Sequence, residues 1–292
     1  MQEEKQNFVG KVVIIGGDRR TRATGEGLRT MGCEVHTLGC DGEDRETMAA
    51  VLSDARAVIL PTPAFVEDRF VFGTQPPLAA QTLFSMMDSR TAVYGGRISG
   101  AIWQLAGKTG VHLTDYMQLE EVQARNAIPS AEGAIYLAMQ QLSITLAGAR
   151  VAVLGHGRIG RALAQRLNAL GAQVSVAVRR ESERERVREA GYTPLWIEQG
   201  ELTQPLNDYD VVFNTIPVRI LGDKALESIT PGTLLIELAS APGGWSPGSE
   251  ALQRLQVIYA PGLPAKYAPD TAGKLIAQAL YPLLCEGREG AP

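Results

Sequence analysis

The sequence predicts an α/β protein built as two Rossmann-like, doubly wound parallel-sheet domains joined by a long helix. Short β-branched runs alternate with helix-length segments almost throughout, the pattern of a parallel sheet covered by helices. The alternation restarts after residue 147, and 292 residues is a two-domain length at about 150 residues per domain.

In the first half the strand-like runs are Lys11–Ile15, Glu34–Leu38, Arg56–Leu60, Thr91–Tyr94 and Val111–Thr114, with helices expected near 20–31, 44–54, 76–88 and 98–108. The second half repeats the pattern with Arg150–Leu154, Gln173–Val178, Asp210–Asn214, Thr233–Glu237 and Gln256–Tyr259. Between the halves, Ser130 follows Pro129 as a candidate N-cap, Glu132 stands in the first turn and apolar residues recur at helical spacing to Ala147. The expected organisation is a first domain over 1–129, an interdomain helix over 130–147, a second domain over 148–265, and a loop and helix over 266–292 that return to the first domain.

Composition narrows the function classes. A net charge of −4, from 28 basic and 32 acidic side chains, argues against a nucleic-acid partner, which needs a clustered basic surplus. No apolar run approaches the roughly 18 residues that cross a bilayer, and the polar start, Met1 to Asn7, does not fit a signal peptide. Cys33, Cys40 and Cys285 lack the spacing of a disulfide framework or a metal cluster. A cytoplasmic protein with reduced thiols, no bound metal and no membrane partner is expected.

Gly155-His-Gly-Arg-Ile-Gly160 fits G-x-G-x-x-G directly after one strand and at the start of an amphipathic helix, the context that gives the motif its meaning. Glycine is needed there for a tight turn, for backbone approach to a pyrophosphate and for close helix–strand packing, while the helix N-terminus offers free N–H groups. Gly155, His156, Gly157, Arg158, Ile159 and Gly160 are therefore read as dinucleotide-binding. NAD enzymes place an acid about 20 residues on to accept from the ribose 2′-hydroxyl. Here that position is Val178, followed by Arg179 and Arg180, which suit a 2′-phosphate and predict NADP. Asn214, Thr215, Ile216 and Pro217 end the next strand, and Leu238, Ala239 and Ser240 open the Gly-rich loop after the fourth; both sets are read as lining the nicotinamide pocket.

A 2-hydroxyacid dehydrogenase would need a His–carboxylate pair as its acid/base. The three His residues are His36 and His112 in predicted strands and His156 in the glycine loop, so that assignment is rejected. Substrate contacts are sought instead at the strand ends of the first domain, where open α/β sheets bind ligands: Gly16-Gly-Asp-Arg-Arg20, Pro61-Thr62-Pro63, Gly95-Gly96-Arg97 and Asp115-Tyr116. The segment Asn126–Ile135 at the domain join, and Lys266 in the Pro-rich run Pro261–Pro269, are two further candidates.

These segments together resemble the A subunits of bacterial dipicolinate synthases over about residues 9–285. The matching stretches are Gly16–Arg20, Asp115-Tyr116, Asn126–Ala134, Gly155–Gly160, Asn214–Pro217, Glu237–Ser240 with Pro242–Gly244, and Pro261–Pro264 through Lys266; the departures are Ser130 for Thr, Glu237 for Asp and Ala265 for Gly. The resemblance implies oxidation of a dihydrodipicolinate-level ring, derived from 4-hydroxy-tetrahydrodipicolinate of the lysine pathway, to dipicolinate. It also implies hydride transfer to NADP+, partnership with a flavoprotein-like B subunit, and work in the mother-cell cytoplasm during endospore formation. A homo-oligomer is expected. For a dicarboxylate, the candidate substrate-binding residues are Gly17, Asp18, Arg19, Arg20, Arg97, Tyr116, Asn126 and Lys266, with Asp115, Glu132 and Lys266 as candidate catalytic groups. Two other readings share the architecture: an amino- or imino-acid dehydrogenase of the alanine dehydrogenase type, and a nucleotide-binding regulatory subunit.

Overall fold

A computed structural model describes residues 10–39 and 45–286. Cys40 and the first residue of the helix expected over 44–54 lie outside them. The chain divides into unit 1, Met1–Asn126 with Ala268–Pro292, and unit 2, Ala127–Tyr267.

Unit 1 runs β1 (Lys11–Ile15), α1 (Arg19–Thr30), β2 (Glu34–Leu38), α2 (Arg45–Leu52), β3 (Ala55–Ile59), β4 (Phe65–Val66), β5 (Phe70–Val71), α3 (Ala80–Ser85), β6 (Ala92–Gly95), α4 (Gly100–Thr109) and β7 (His112–Asp115). Its main sheet is parallel in the order β2-β1-β3-β6-β7. Val12, Val13 and Ile15 of β1 are fully buried, because a parallel strand has a covered face on each side. The strand order reverses between β1 and β3, and a crevice opens outside the carboxyl ends at such a point. The β4–β5 hairpin departs from expectation, since two-residue strands carry no periodicity. The helix expected over 76–88 shortens to α3 because Pro76 and Pro77 precede it and a turn follows Ser85.

The long helix also differs from expectation. α5 spans Glu120–Gln141 and runs through Pro129, so Ser130 is a buried mid-helix residue, not an N-cap, and Glu132 is not in a first turn. Proline removes one i→i−4 bond and normally kinks or ends a helix. Here the helix is held by packing: Ala131, Ala134 and Ala138 are completely buried. Residues 142–149, expected to be helical to Ala147, form turns before the next strand.

Unit 2 continues with β8 (Arg150–Leu154), α6 (Arg158–Ala169), β9 (Gln173–Val178), α7 (Glu181–Glu189), β10 (Thr193–Glu198), β11 (Glu201–Leu202), β12 (Val211–Asn214), α8 (Asp223–Glu227), β13 (Leu234–Glu237), β14 (Gln256–Tyr259) and α9 (Leu263–Tyr267). Its sheet order is β11-β10-β9-β8-β12-β13-β14, parallel except for the antiparallel edge strand β11. The direction of winding reverses between β8 and β12. β10 is hidden in the sequence because Pro194 argues against a strand. It is tolerated because β11 pairs only with Ile197 and Glu198, leaving the Pro194 edge unpaired.

The last helix, α10 (Pro269–Glu286), is part of unit 1. Ile276, Ala277 and Leu280 join Val12, Ile14, Leu28, Tyr94 and Tyr116 in one buried cluster. α1 and α10 approach through glycines. A Cβ at Gly273 would lie 2.3 Å from the Arg20 carbonyl oxygen, and one at Gly27 would lie 2.8 Å from Ala277 Cβ. Among the described residues no helix is long and apolar enough to cross a membrane.

Candidate functional site

In unit 2 the glycine turn sits at the reversal of the sheet, between the ends of β8 and β12. Each glycine answers a different steric demand. Gly155 has φ +105°, and a Cβ there would press on Thr215 Oγ1 at 2.6 Å. A Cβ at Gly160 would lie 2.0 Å from the Gly155 carbonyl oxygen. A Cβ at Gly157 would meet nothing within 4 Å. Two glycines are thus required by the fold itself, and the third leaves open space at the start of α6. Gly157 is the N-cap residue of α6 and brings no side-chain acceptor, so the first N–H groups of the helix stay available for an anion. This cradle fits a pyrophosphate.

His156 is half-buried, and burial, aided by the charge of Arg161, pushes its pKa below the usual histidine value. Arg158 is exposed and Ile159 half-buried. Val178 is buried at the end of β9 and brings no hydrogen-bonding group, while Arg179 and Arg180 are exposed directly after it. Glu181, the nearest acid in sequence, pairs with Arg184 at 3.4 Å.

At the neighbouring strand ends Asn214 is completely buried and Thr215 Oγ1 donates to the Leu154 carbonyl at 2.9 Å. The Asn214 amide donates to Glu237 Oε1 at 2.8 Å and to the Ile216 carbonyl at 2.9 Å. Leu238 and Ala239 are half-buried, and Ser240 and Pro217 are exposed. The sequence places Glu237 at the head of the Gly-rich nicotinamide-side loop but gives its side chain no role. The signal that could have found it is a carboxylate ending an otherwise apolar buried strand.

In unit 1 the ends of β1, β3, β6 and β7 assemble one polar cluster. Arg20 is buried, donates through Nη2 to the Thr62 carbonyl and stands 3.7 Å from Asp18 Oδ2. It thus lies at the β1/β3 reversal. Thr62 Oγ1 and Tyr116 Oη are 2.6 Å apart, and Tyr116 Oη donates to the Leu60 carbonyl at 3.0 Å. Gly96 closes against this pair, since a Cβ there would lie 1.8 Å from Thr62 Oγ1. In the sequence Thr62 stands out only as part of a loop.

Several residues singled out from sequence are committed elsewhere. Asp115 accepts the N–H groups of Arg97 (3.1 Å), Ile98 (3.0 Å) and Met117 (2.9 Å). This candidate catalytic carboxylate anchors the turn in which Arg97 adopts a left-handed φ of 56°. Asp18 caps α1 by accepting from the N–H groups of Arg20 and Thr21, so this helix start already holds its own anion. A Cβ at Gly17 would strike Thr21 Oγ1 at 2.3 Å, which makes this glycine a packing requirement. Arg19 forms a two-pronged pair with Asp270 of α10, at 2.8 and 2.7 Å, and its fork is occupied. Glu132 lies exposed on α5, 3.3 Å from Arg166 of α6, in a surface ion pair. Asn126 is half-buried within α5.

Arg97 keeps an exposed side chain at the strand ends. Lys266, expected in a rigid loop, lies in the short helix α9 with its side chain exposed and its Nζ 5.3 Å from the centre of the Tyr267 ring. α9 packs closely on α5 because residue 133 is glycine, whose Cβ would approach Leu263 and Tyr267 at 3.1 and 3.2 Å.

Tyr116 supports a direct test. Burial pushes its phenol up to about 12 from the usual 10.0. Its stabilising effect is therefore intact below pH 10 and is lost as pH climbs toward about 12. Tyr116→Phe is expected to lower neutral-pH stability by about 1–3 kcal/mol, because Leu60 and Thr62 lose a partner. The tyrosinate absorbance that develops near pH 12 should fall by the contribution of one of the eight tyrosines, and a variant that keeps it in full would refute the assignment.

A parallel-sheet unit with a glycine turn shaped for a dinucleotide's pyrophosphate at its point of reversal, preceded by a second doubly wound unit, defines the two-unit nicotinamide-dependent dehydrogenase class. The model of the D-isomer specific 2-hydroxyacid dehydrogenase NAD-binding domain matches residues 96–242. The model of the N-terminal domain of the dipicolinate synthase A subunit matches residues 11–117. The A subunit of dipicolinate synthase from Bacillus subtilis (strain 168) is 32% identical over 287 residues, covering 94% of this chain and 96% of that protein. The chain belongs to the family of dipicolinate synthase A subunits. The crystal structure of the Bacillus halodurans member superposes with a TM-score of 0.84 at 32% identity, covering 94% of this chain and 97% of the other. That of the Bacillus subtilis member gives 0.83 at 29% identity, covering 95% and 96%. A transhydrogenase from Sinorhizobium meliloti, at 18% identity and a TM-score of 0.63, covers 94% of this chain and 92% of its own and shares the fold.

Proposed function

We propose that this chain is the dehydrogenase component of a dipicolinate synthase, oxidising a dihydrodipicolinate-level ring with NADP+. The observation that carries the reading is the Gly155–Gly160 cradle within a chain related to dipicolinate synthase A subunits along almost its whole length. NADP+, bound along that turn, supplies a hydride acceptor. The chain's own residues bind and orient. Gly157 and the start of α6 receive the pyrophosphate, and His156, Arg158 and Ile159 complete the turn. Arg179 and Arg180 take the 2′-phosphate that Val178 leaves without an acid competitor. The ends of β12 and β13, residues 214–217 and 238–240, flank the nicotinamide.

Arg20 and Arg97 are the cations at the unit 1 strand ends proposed to hold ring carboxylates, and Lys266 is retained as a proposed carboxylate ligand. Oxidation removes a hydride from one ring carbon and a proton from the ring, leaving pyridine-2,6-dicarboxylate. Aromaticity drives the proton loss, so the commitment of Asp115 and Glu132 to structural partners is compatible with the chemistry. The substrate arises from 4-hydroxy-tetrahydrodipicolinate of the lysine pathway. A flavoprotein-like B subunit completes the enzyme, a homo-oligomer is its assembled form, and the product serves endospores in the mother-cell cytoplasm.

The test is turnover by the purified chain, alone and with the B-type partner, given the lysine-pathway ring substrate and NADP+ or NAD+. Reduced cofactor and dipicolinate are followed by absorbance. NADP+-dependent formation of both is expected, and their absence in every combination would overturn the proposal. Replacing Arg179 and Arg180 together by alanine should weaken NADP+ binding about tenfold or more and leave NAD+ within about twofold, since two charge-assisted contacts are lost. Equal losses for both cofactors would contradict the 2′-phosphate assignment.

A further inference from the structure

We propose that Glu237 is the positioning residue that fixes the nicotinamide-side loops of unit 2, tying three separate backbone segments to one carboxylate. The proposal rests on the dinucleotide reading of this unit. Glu237 is 4% exposed at the end of β13. Its Oε1 accepts from the Asn214 side-chain amide at 2.8 Å and from the Ala239 N–H at 2.9 Å. Its Oε2 accepts from the Gly244 N–H at 2.8 Å. The first contact holds the end of β12, and the other two hold the start and the far end of the 238–244 loop.

The tie extends further in both directions. Asn214 exchanges bonds with the backbone of Ile216, its amide donating to the carbonyl and its oxygen accepting the N–H at 3.1 Å, which fixes the 214–216 turn. The Gly244 carbonyl accepts the N–H groups of Ile220 and Leu221, each at 2.9 Å, which fixes the segment after that turn. Two glycines make the arrangement possible. Gly243 has φ +83°, and its Cβ would lie 2.8 Å from Glu237 Oε2; a Cβ at Gly244 would lie 2.5 Å from Asn214 Nδ2. The glycine pair therefore does more than loosen the loop, because it lets backbone close onto a buried carboxylate and its amide partner. Burial raises the Glu237 pKa above the usual carboxylate value, and the three N–H donors offset part of that rise. Three donors on two oxygens suit a carboxylate and no other side chain of this size. Glutamine would satisfy Asn214 and Ala239 with its oxygen and would turn an NH2 toward the Gly244 N–H.

The experiment compares wild type with Glu237→Gln, titrating NADP+, NAD+ and adenosine 2′,5′-bisphosphate. The reporter is the fluorescence of Trp245, buried one residue beyond Gly244. Glutamine is expected to weaken binding of the whole dinucleotide about tenfold and to leave the adenine-side fragment within about twofold, as one unsatisfied donor at the nicotinamide end demands. In turnover, KM for the cofactor rises more than kcat falls. Glu237→Asp, which keeps the charge on a shorter arm, falls between the two proteins and serves where the glutamine variant does not fold. Unchanged dinucleotide affinity, or equal losses for dinucleotide and fragment, overturns the positioning role. A wild-type protein that binds neither dinucleotide instead overturns the reading on which this rests.

Discussion

Gly160→Ala is expected to lose both stability and cofactor binding, whereas Gly157→Ala loses binding alone. The two glycines lie in one turn but face different neighbours. A methyl at residue 160 would sit 2.0 Å from the Gly155 carbonyl oxygen, and neither backbone can move without parting α6 from β8. Overpacking of this kind costs roughly 1–3 kcal/mol or more. The gain of about 1 kcal/mol from alanine's better helix propensity offsets only part of it. At residue 157 a methyl meets nothing within 4 Å and φ is −76°, an ordinary value for alanine. That methyl would occupy the volume assigned to the pyrophosphate. Thermal unfolding and titration with NADP+ on both variants separate the effects: a fall in melting temperature for Gly160→Ala only, and a loss of affinity of about tenfold or more for both. Normal affinity in Gly157→Ala would show that the phosphates lie elsewhere.

Asp115→Asn carries the second large effect, on unit 1. Oδ1 holds two backbone N–H groups and Oδ2 holds one, and all three belong to turns at the strand ends. An asparagine oxygen can replace Oδ1, but its NH2 then faces the Ile98 N–H. Hydrogen bonds to a buried charge contribute about 1.5–3 kcal/mol, and an orphaned donor costs about 1–3 more. A loss of roughly 2.5–6 kcal/mol is expected on that basis, visible as an earlier urea midpoint with an unchanged slope. Arg97, held at a φ of 56° by this carboxylate, should become more accessible to protease. A variant of normal stability and greatly reduced kcat would reinstate Asp115 as a catalytic group.

The two sheets are legible because buried parallel strands write themselves as apolar runs, as in Lys11–Ile15, Arg150–Leu154 and Gln173–Val178, and the more exposed edge strands Glu34–Leu38 and Gln256–Tyr259 keep enough β-branched or aromatic residues to be read; all five coincide with observed strands to the residue. The start of the long helix is masked by Pro129. A proline followed by serine looks like a helix start, and the packing of Ala131, Ala134 and Gly133 that overrides it is a tertiary effect. The glycine turn is legible because its demands are local. The strand-end cluster is legible only as separate loops. That Arg19 pairs with Asp270, that Thr62 meets both Arg20 and Tyr116, and that Asp115 is saturated by backbone all depend on residues far apart in the chain.

Unit 1 is made of two stretches separated by the whole of unit 2, and this sets an order of events on the ribosome. Val12, Ile14 and Leu28 emerge early, yet the α10 residues that cover them, Ile276, Ala277 and Leu280, are translated only after the whole of unit 2. Unit 2 is contiguous and can close while synthesis continues. The growing chain therefore completes its contiguous unit while the apolar surface of Val12, Ile14 and Leu28 still lacks its α10 cover, and unit 1 can close only once α10 has emerged.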